Sequence, residues 1–416
     1  MSSVWRKAGS LLLAIGWAVG PGSAVAAADG YSSSDKLRDF MAQVRPQPTA
    51  SQAGGQAVRE AAVVPPARLQ ERAELLKSGE TLLAQMQVEG ALQAFERAAL
   101  ILHAADTEIA LVRTYMQAGD YRRALAFGAH TAGAHLDVVG GSALYAWLLH
   151  MGGQPAIAQR LLVETQARMP NHPVVQGVEE QLRSDSPRAS GLLLALPTRL
   201  APYGGGQGLP AKARVRGTAV LVPGGQWALV PLGLVSRSGA IWLRNGLGQL
   251  AQARLGKRLP AVGLGLLRLQ TGLPFDEELV LAPQDAFPGS VGFAVEYVAA
   301  PDAEPAWPVL RTGFLGGVLP DGHGRKLGIG MPSGPRGGPV FDAAGRLAGM
   351  AVSAKPGLPD QVLPISQLRQ ALEQIPGRRA NEAWAALPAQ GAPASAAVDK
   401  IYETSLRTSL QVIAAP

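Results

Sequence analysis

Few side chains in this sequence are equipped for chemistry. Cysteine is absent, which removes disulfides, thiol nucleophiles, cysteine-ligated metals and a lipid-bearing N-terminal cysteine together. Attack on an acyl carbon by a hydroxyl needs a general base, and a carboxylate to hold that base in the right tautomer. Only six histidines are present, and none lies between Pro173 and Gly322. His323 sits in the polar turn Asp321-Gly322-His323-Gly324, and His150 has no second ligand at helical spacing, so no metal site is expected. Asp276-Glu277-Glu278 reads as a solvated turn before a strand. The glycine-rich runs GFLGGV and GIGMPSG lack the strand-then-helix setting and the lysine of a phosphate loop, so no nucleotide or other cofactor is expected. What remains is Gly334-Pro335-Arg336-Gly337-Gly338-Pro339, a tight turn around a permanently protonated and poorly nucleophilic guanidinium.

The elements that must carry this turn are strands. After Ser186-Pro187, glycine and proline rise and short apolar runs replace helical spacing. Candidate strands are 218–222, 227–230, 240–243, 250–255, 264–269, 278–282, 291–298, 309–315, 338–341 and 347–352, with a terminal helix over 365–375. Their even punctuation by Gly, Pro and Asp implies an antiparallel barrel or sandwich.

Three landmarks in this region resemble the trypsin-like, chymotrypsin-fold proteases, especially the bacterial periplasmic branch. Gly217-Thr218-Ala219-Val220-Leu221-Val222 is similar to that family's opening strand, and WALVPLGLV (227–235) to the strand and turn that present its histidine. GLGLLRLQTGLP from Gly263 resembles the strand that follows the orienting aspartate, and GPRGGP from Gly334 resembles the Gly-Asn-Ser-Gly-Gly-Pro nucleophile turn. The resemblance, over roughly 215–375, implies a double barrel with Gly233, Gly263 and Arg336 in place of histidine, aspartate and serine. Losing all three implies no catalysis. The resemblance further implies that the backbone N–H groups of the Gly334, Arg336 and Gly337 loop surround an oxyanion-like concavity, and that the strand near 349–353 pairs with an extended peptide. Arg336 either plugs the cleft, binds a carboxylate, or faces solvent.

Residues 66–185 carry apolar residues at spacings of three and four, and they repeat. Ala91, Ala124 and Ala158 lie 33 and 34 residues apart, with Phe95 and Leu162 beside the first and last, and Gly119-Asp120 and Gly152-Gly153 as breaks. The period and marker residues resemble the tetratricopeptide repeat, in three units closed by a helix over 172–183; a helical bundle with an accidental period is the alternative. In that family a concave face binds peptides or partner helices. Here it would carry Glu80, Leu83, Arg113, Met116, Trp147 and His150.

The fold class is therefore multidomain: an all-α helical-repeat solenoid followed by an all-β antiparallel double barrel of trypsin-like type. Residues 1–28 read as a signal peptide, with basic Arg6 and Lys7, an apolar run from Leu11 to Val19 and the small residues Ala24-Val25-Ala26. The apolar run is too short for a spanning helix, and no later segment is long enough. The mature chain is expected to be exported, to a Gram-negative periplasm or outright. A linker over 29–65 leads to the repeat (66–185), the barrel region (187–379), an Ala/Pro linker (380–397) and an amphipathic segment (398–416). That last segment either closes the barrel, whose own first strand is sought near 192–200, is a remnant of a second such domain, or docks on the surface. The formal charge of +7 is scattered and aromatics make up 5%, which disfavours nucleic acid. The expected function is protein or peptide binding by a pseudoprotease. An active serine endopeptidase of unusual arrangement and a structural envelope scaffold are the alternatives.

Overall fold

The computed structural model describes residues 64–204, 206, 208–235, 240–275, 279–319, 325–353, 359–375 and 395–415. The leader, nearly all of the 29–65 linker, Asp276-Glu277-Glu278, the His323 turn and most of the 380–397 linker lie outside the described residues.

The first seven helices are α1 (Pro66–Ala84), α2 (Val88–Ile101), α3 (Ala105–Ala118), α4 (Tyr121–Ala134), α5 (Val139–Met151), α6 (Pro155–Arg168) and α7 (Pro173–Arg183). Each packs on the next across a short connection. Ala91, Ala124 and Ala158 are all fully buried, as small residues at close helix crossings must be. A Cβ at Gly79 would lie 2.5 Å from the Phe95 ring, so glycine there admits the phenyl group. Gly119 ends α3 in the left-handed conformation (φ 77°), and Asp120 then caps α4 by accepting the Arg123 N–H at 3.1 Å.

A closed barrel follows, built from β1 (Arg214–Leu221), β2 (Trp227–Pro231), β3 (Ile241–Asn245), β4 (Leu250–Leu259), β5 (Leu264–Leu269) and β12 (Ser409–Ala414), in the order β1-β12-β3-β4-β5-β2. Its interior holds Ala219, Leu221, Ala228, Val230, Leu243, Leu267, Leu410 and Val412. The C-terminal segment thus completes the barrel: α9 (Val398–Thr408) leads into β12, which pairs with β1 on one side and β3 on the other. The strand sought near 192–200 does not form; Gly191–Leu194 is a single 3-10 turn.

The second sheet runs β7-β6-β9-β10-β11-β8, from β6 (Val291–Glu296), β7 (Val309–Phe314), β8 (Arg325–Lys326), β9 (Pro339–Asp342), β10 (Leu347–Val352) and β11 (Gln361–Pro364), followed by α8 (Ile365–Leu372). Its two margins are joined irregularly. The Phe314 N–H donates to the Gly328 carbonyl (3.4 Å) and the Gly316 N–H to that of Lys326 (2.8 Å). A helical region followed by two barrel-like sheets is consistent with the expected double barrel. The helices and both sheets belong to one compact unit, Glu60–Pro416.

Candidate functional site

The landmarks of the barrel region converge. Leu232 donates its N–H to the Gly263 carbonyl at 2.9 Å, which sets the turn after β2 beside the turn before β5. A Cβ on Gly217 would touch both Leu234 (2.9 Å) and Pro335 (3.5 Å), so the Gly334–Pro339 turn lies against the same place. At Gly233 and Gly263 an added Cβ would meet nothing within 4 Å. Those two positions therefore border open space and present no functional group to it.

Arg336 is neither a free plug nor a solvent-facing side chain. It is buried, its Nε bonds the Asp360 carboxylate, and its Nη1 donates to the Pro332 carbonyl at 2.7 Å. The loop amides are likewise engaged. The Arg336 N–H donates to Ser353 Oγ at 2.8 Å, while the N–H groups of Gly337 (3.0 Å) and Gly338 (2.9 Å) donate to one oxygen of Glu296. This corrects the expectation of an oxyanion-like concavity at Gly334, Arg336 and Gly337: two of those three amides already have internal acceptors. The glycines are needed for close approach. A Cβ on Gly337 would lie 2.0 Å from the Thr218 carbonyl, and one on Gly338 1.8 Å from that of Val295. The turn is wedged between β1 of the first barrel and β6 of the second.

Glu296 was not singled out by sequence, since a lone glutamate at a strand end carries no signal. It is enclosed at the end of β6, and burial pushes its carboxyl up to about 7, against the opposing pull of Thr218, the two loop amides and the Arg336 charge. Its Oε1 is the internal acceptor that holds the loop. Of the strand over 349–353, β10 is bonded to β11 over Gly349–Val352 and to β9 as far as Ala351, whose N–H donates to the Gly338 carbonyl at 2.8 Å, so most of the stretch expected to pair with a peptide already has neighbours on both sides.

The concave helical set is covered by the chain itself. Leu83, Arg113, Met116, Trp147 and His150 are buried, and only Glu80 is partly open. Arg113 pairs with Glu80 and donates to Tyr203 Oη at 2.9 Å, and Tyr203 bonds the same carboxylate. Gln117 accepts the Tyr203 N–H (2.8 Å) and donates to the carbonyls of Tyr203 (3.1 Å) and Leu247. His150 meets Arg311 of β7 (2.9 Å), and Tyr121 meets the Tyr402 ring of α9 edge-on at 4.5 Å. The expected binding face thus holds the 198–204 segment and the barrels in place of a separate partner. The reason is that the polar members of the set, Glu80, Arg113 and His150, find partners in Tyr203 and Arg311 of this chain.

One cluster had no sequence signature. His103, Glu108, His130 and His135, spread over the α2–α3 loop, α3, α4 and its C-terminal cap, come together in the helical region. The expectation of no metal site considered His150 alone, and the ligand-type residues instead gather here. No helix among the described residues is long and apolar enough to cross a membrane.

No protein-family model matches the chain, and no curated protein matches it either. Among solved structures, it is similar to the MamO protease domain from Magnetospirillum magneticum (apo form), at 20% identity over 40% of this chain and 98% of that one, with a TM-score of 0.29.

Proposed function

We propose that this chain is an exported, non-catalytic binding protein, in which a tetratricopeptide-like repeat and a trypsin-like double barrel form one body. The observation that carries this reading is the meeting of Gly233, Gly263 and the Gly334–Pro339 turn through Leu232, Gly217 and Leu234. The resemblance to trypsin-like proteases places the proton relay and nucleophile there. These positions supply no imidazole, carboxylate or hydroxyl, and Arg336 is held by Asp360 and Pro332. Acyl transfer has no attacking group at these three positions, and the hydroxyl that reaches the turn, Ser353 Oγ, is taken up as the acceptor of the Arg336 N–H.

Because the helical concavity is occupied internally, the partner surface is assigned to the second barrel. Val291 and Phe314 stand opposite one another in register, and Phe287 leads into the pair through a turn closed by the Ser290 N–H. Phe287 (78% exposed) and Phe314 (63%) are the most open large apolar side chains there. Grouped exposed aromatics of this kind mark protein contact surfaces.

Fluorophosphonate labelling and casein digestion of purified protein test the absence of catalysis. No label and no cleavage are expected, and covalent labelling of any serine overturns it. A pull-down from a periplasmic extract, repeated with Phe287→Ser/Phe314→Ser, tests the surface. Partners retained undiminished by the double variant exclude this patch.

A further inference from the structure

We infer that His103, Glu108 and His135, with His130 beside Glu108, form a binding site for a divalent transition metal, with tetrahedral Zn²⁺ the best fit. Glu108 is at the centre. Its Oε1 lies 3.0 Å from His103 Nε2 and 3.2 Å from His130 Nε2, and its Oε2 lies 3.3 Å from His135 Nε2. The ligand atoms of His103, Glu108 and His135 all fall within 4.8 Å of one another.

These distances suit a shared ion. Two ligands each about 2.0–2.1 Å from zinc at the tetrahedral angle stand about 3.3 Å apart. Proximity here is not hydrogen bonding, because Glu108 Oε2, His130 Nε2 and His135 Nε2 are buried without a hydrogen-bond partner. Burying such atoms unpaired is costly. The Glu108 side chain is only 4% exposed, while the three imidazoles are open at 18–35%. The cation thus has a fixed carboxylate beneath and an entry side lined by imidazole. Two imidazole nitrogens and one carboxylate oxygen, with the fourth position left to His130 or solvent, are a ligand set that zinc takes readily, and copper and nickel compete for it. Nearby Asp106 is engaged with Arg72, which keeps it out of the set.

An ion there would tie the α2–α3 loop to the end of α4. In a chain with no cysteine it is the cross-link the composition still permits.

The test uses the full chain after dialysis against EDTA. Calorimetric titration with Zn²⁺ should give one equivalent bound, with Kd at or below about 10 µM, and Zn²⁺ in excess should raise the melting temperature by mass action. Co²⁺ should give the intense visible bands of tetrahedral coordination. His103→Ala and Glu108→Gln should each weaken Zn²⁺ binding at least about tenfold, since even loss of an outer-shell partner costs about that much, and His172→Ala should leave it unchanged. His103 lies in a loop and is about a third exposed, so its replacement does not touch the core. Melting in EDTA checks that it folds as wild type does. No heat and no melting shift at about 100 µM Zn²⁺, or stoichiometric binding that survives His103→Ala/His135→Ala, would reduce the cluster to a carboxylate ringed by imidazoles and overturn the site.

Discussion

Arg311 holds His150 across the boundary between helices and barrel: its Nη2 lies 2.9 Å from the imidazole Nε2 and its Nη1 donates to the His150 carbonyl at 3.3 Å. Arginine has only donors, so Nε2 accepts and the ring is neutral. Burial, with the Arg311 charge second, lowers the His150 value to about 4.

Two buried groups should make stability depend on pH in opposite directions. As pH falls from 6.5 toward 4, the unfolded chain takes up a proton that folded His150 refuses, so stability is lost on acidification. As pH rises from 4.5 toward 7, the unfolded chain releases a proton that folded Glu296 retains, so stability is lost on alkalinisation. Each effect is on the order of 3 kcal/mol when complete, and the two offset one another between them. Urea denaturation at pH 4.5 and 6.5 should therefore show a small net change in the wild type. Glu296→Gln should make stability rise with pH over that window, and His150→Gln should make it fall. Parallel slopes in all three proteins would contradict both assignments.

Glycines around the Gly334–Pro339 turn should differ sharply in tolerance. Gly233→Ala places its methyl in open space and should change stability by less than about 0.5 kcal/mol. Gly337→Ala drives a methyl into the Thr218 carbonyl and should cost about 3 kcal/mol or prevent folding. Thermal melts of the two variants measure the difference.

Arg336→Ser puts a hydroxyl into the Gly334–Pro339 turn, which under the proposed reading has no base to activate it. It also strands Asp360 and frees the Pro332 carbonyl. A loss of about 1–3 kcal/mol in urea denaturation is expected, with no gain of esterase activity on an activated ester. Measurable turnover would mean that a base stands within reach.

Gln117→Ala removes three hydrogen bonds that fasten the helices to Tyr203 and Leu247. Loss of about 2 kcal/mol is expected from the groups left unpaired. Hydrogen exchange of the Tyr203 and Leu247 region should accelerate more than that of β5.

Most of the strands could be read from alternation and punctuation. The run 264–269 matches β5 and 347–352 matches β10, because both are apolar segments between clear breaks. β8 and β11 escaped notice: two residues, Arg325–Lys326, carry no pattern, and Gln361–Pro364 ends in the proline that starts α8. The candidate near 278–282 makes only an isolated bridge, Leu281 to Leu347, among the described residues. Gly128 in α4 stands close to its neighbour, for an added Cβ would lie 3.0 Å from the Tyr145 ring. Sites were less legible than elements. The turn at Gly334 was visible because its glycines are contiguous, but its internal acceptors Ser353 and Glu296 come from distant strands. His103, Glu108, His130 and His135 share no periodic spacing, and only the packing of α2, α3 and α4 brings them together.

β12 enters between β1 and β3, and its Ala414 pairs with Arg214, 200 positions earlier (414 − 214). A nascent chain cannot close this barrel while residues 409–414 are still inside the ribosome. Until they emerge, the facing edges of β1 and β3 have no hydrogen-bonding neighbour, and such late, non-local pairing is slow. A chain that stopped before Ser409 would leave β1 and β3 without the strand that joins them.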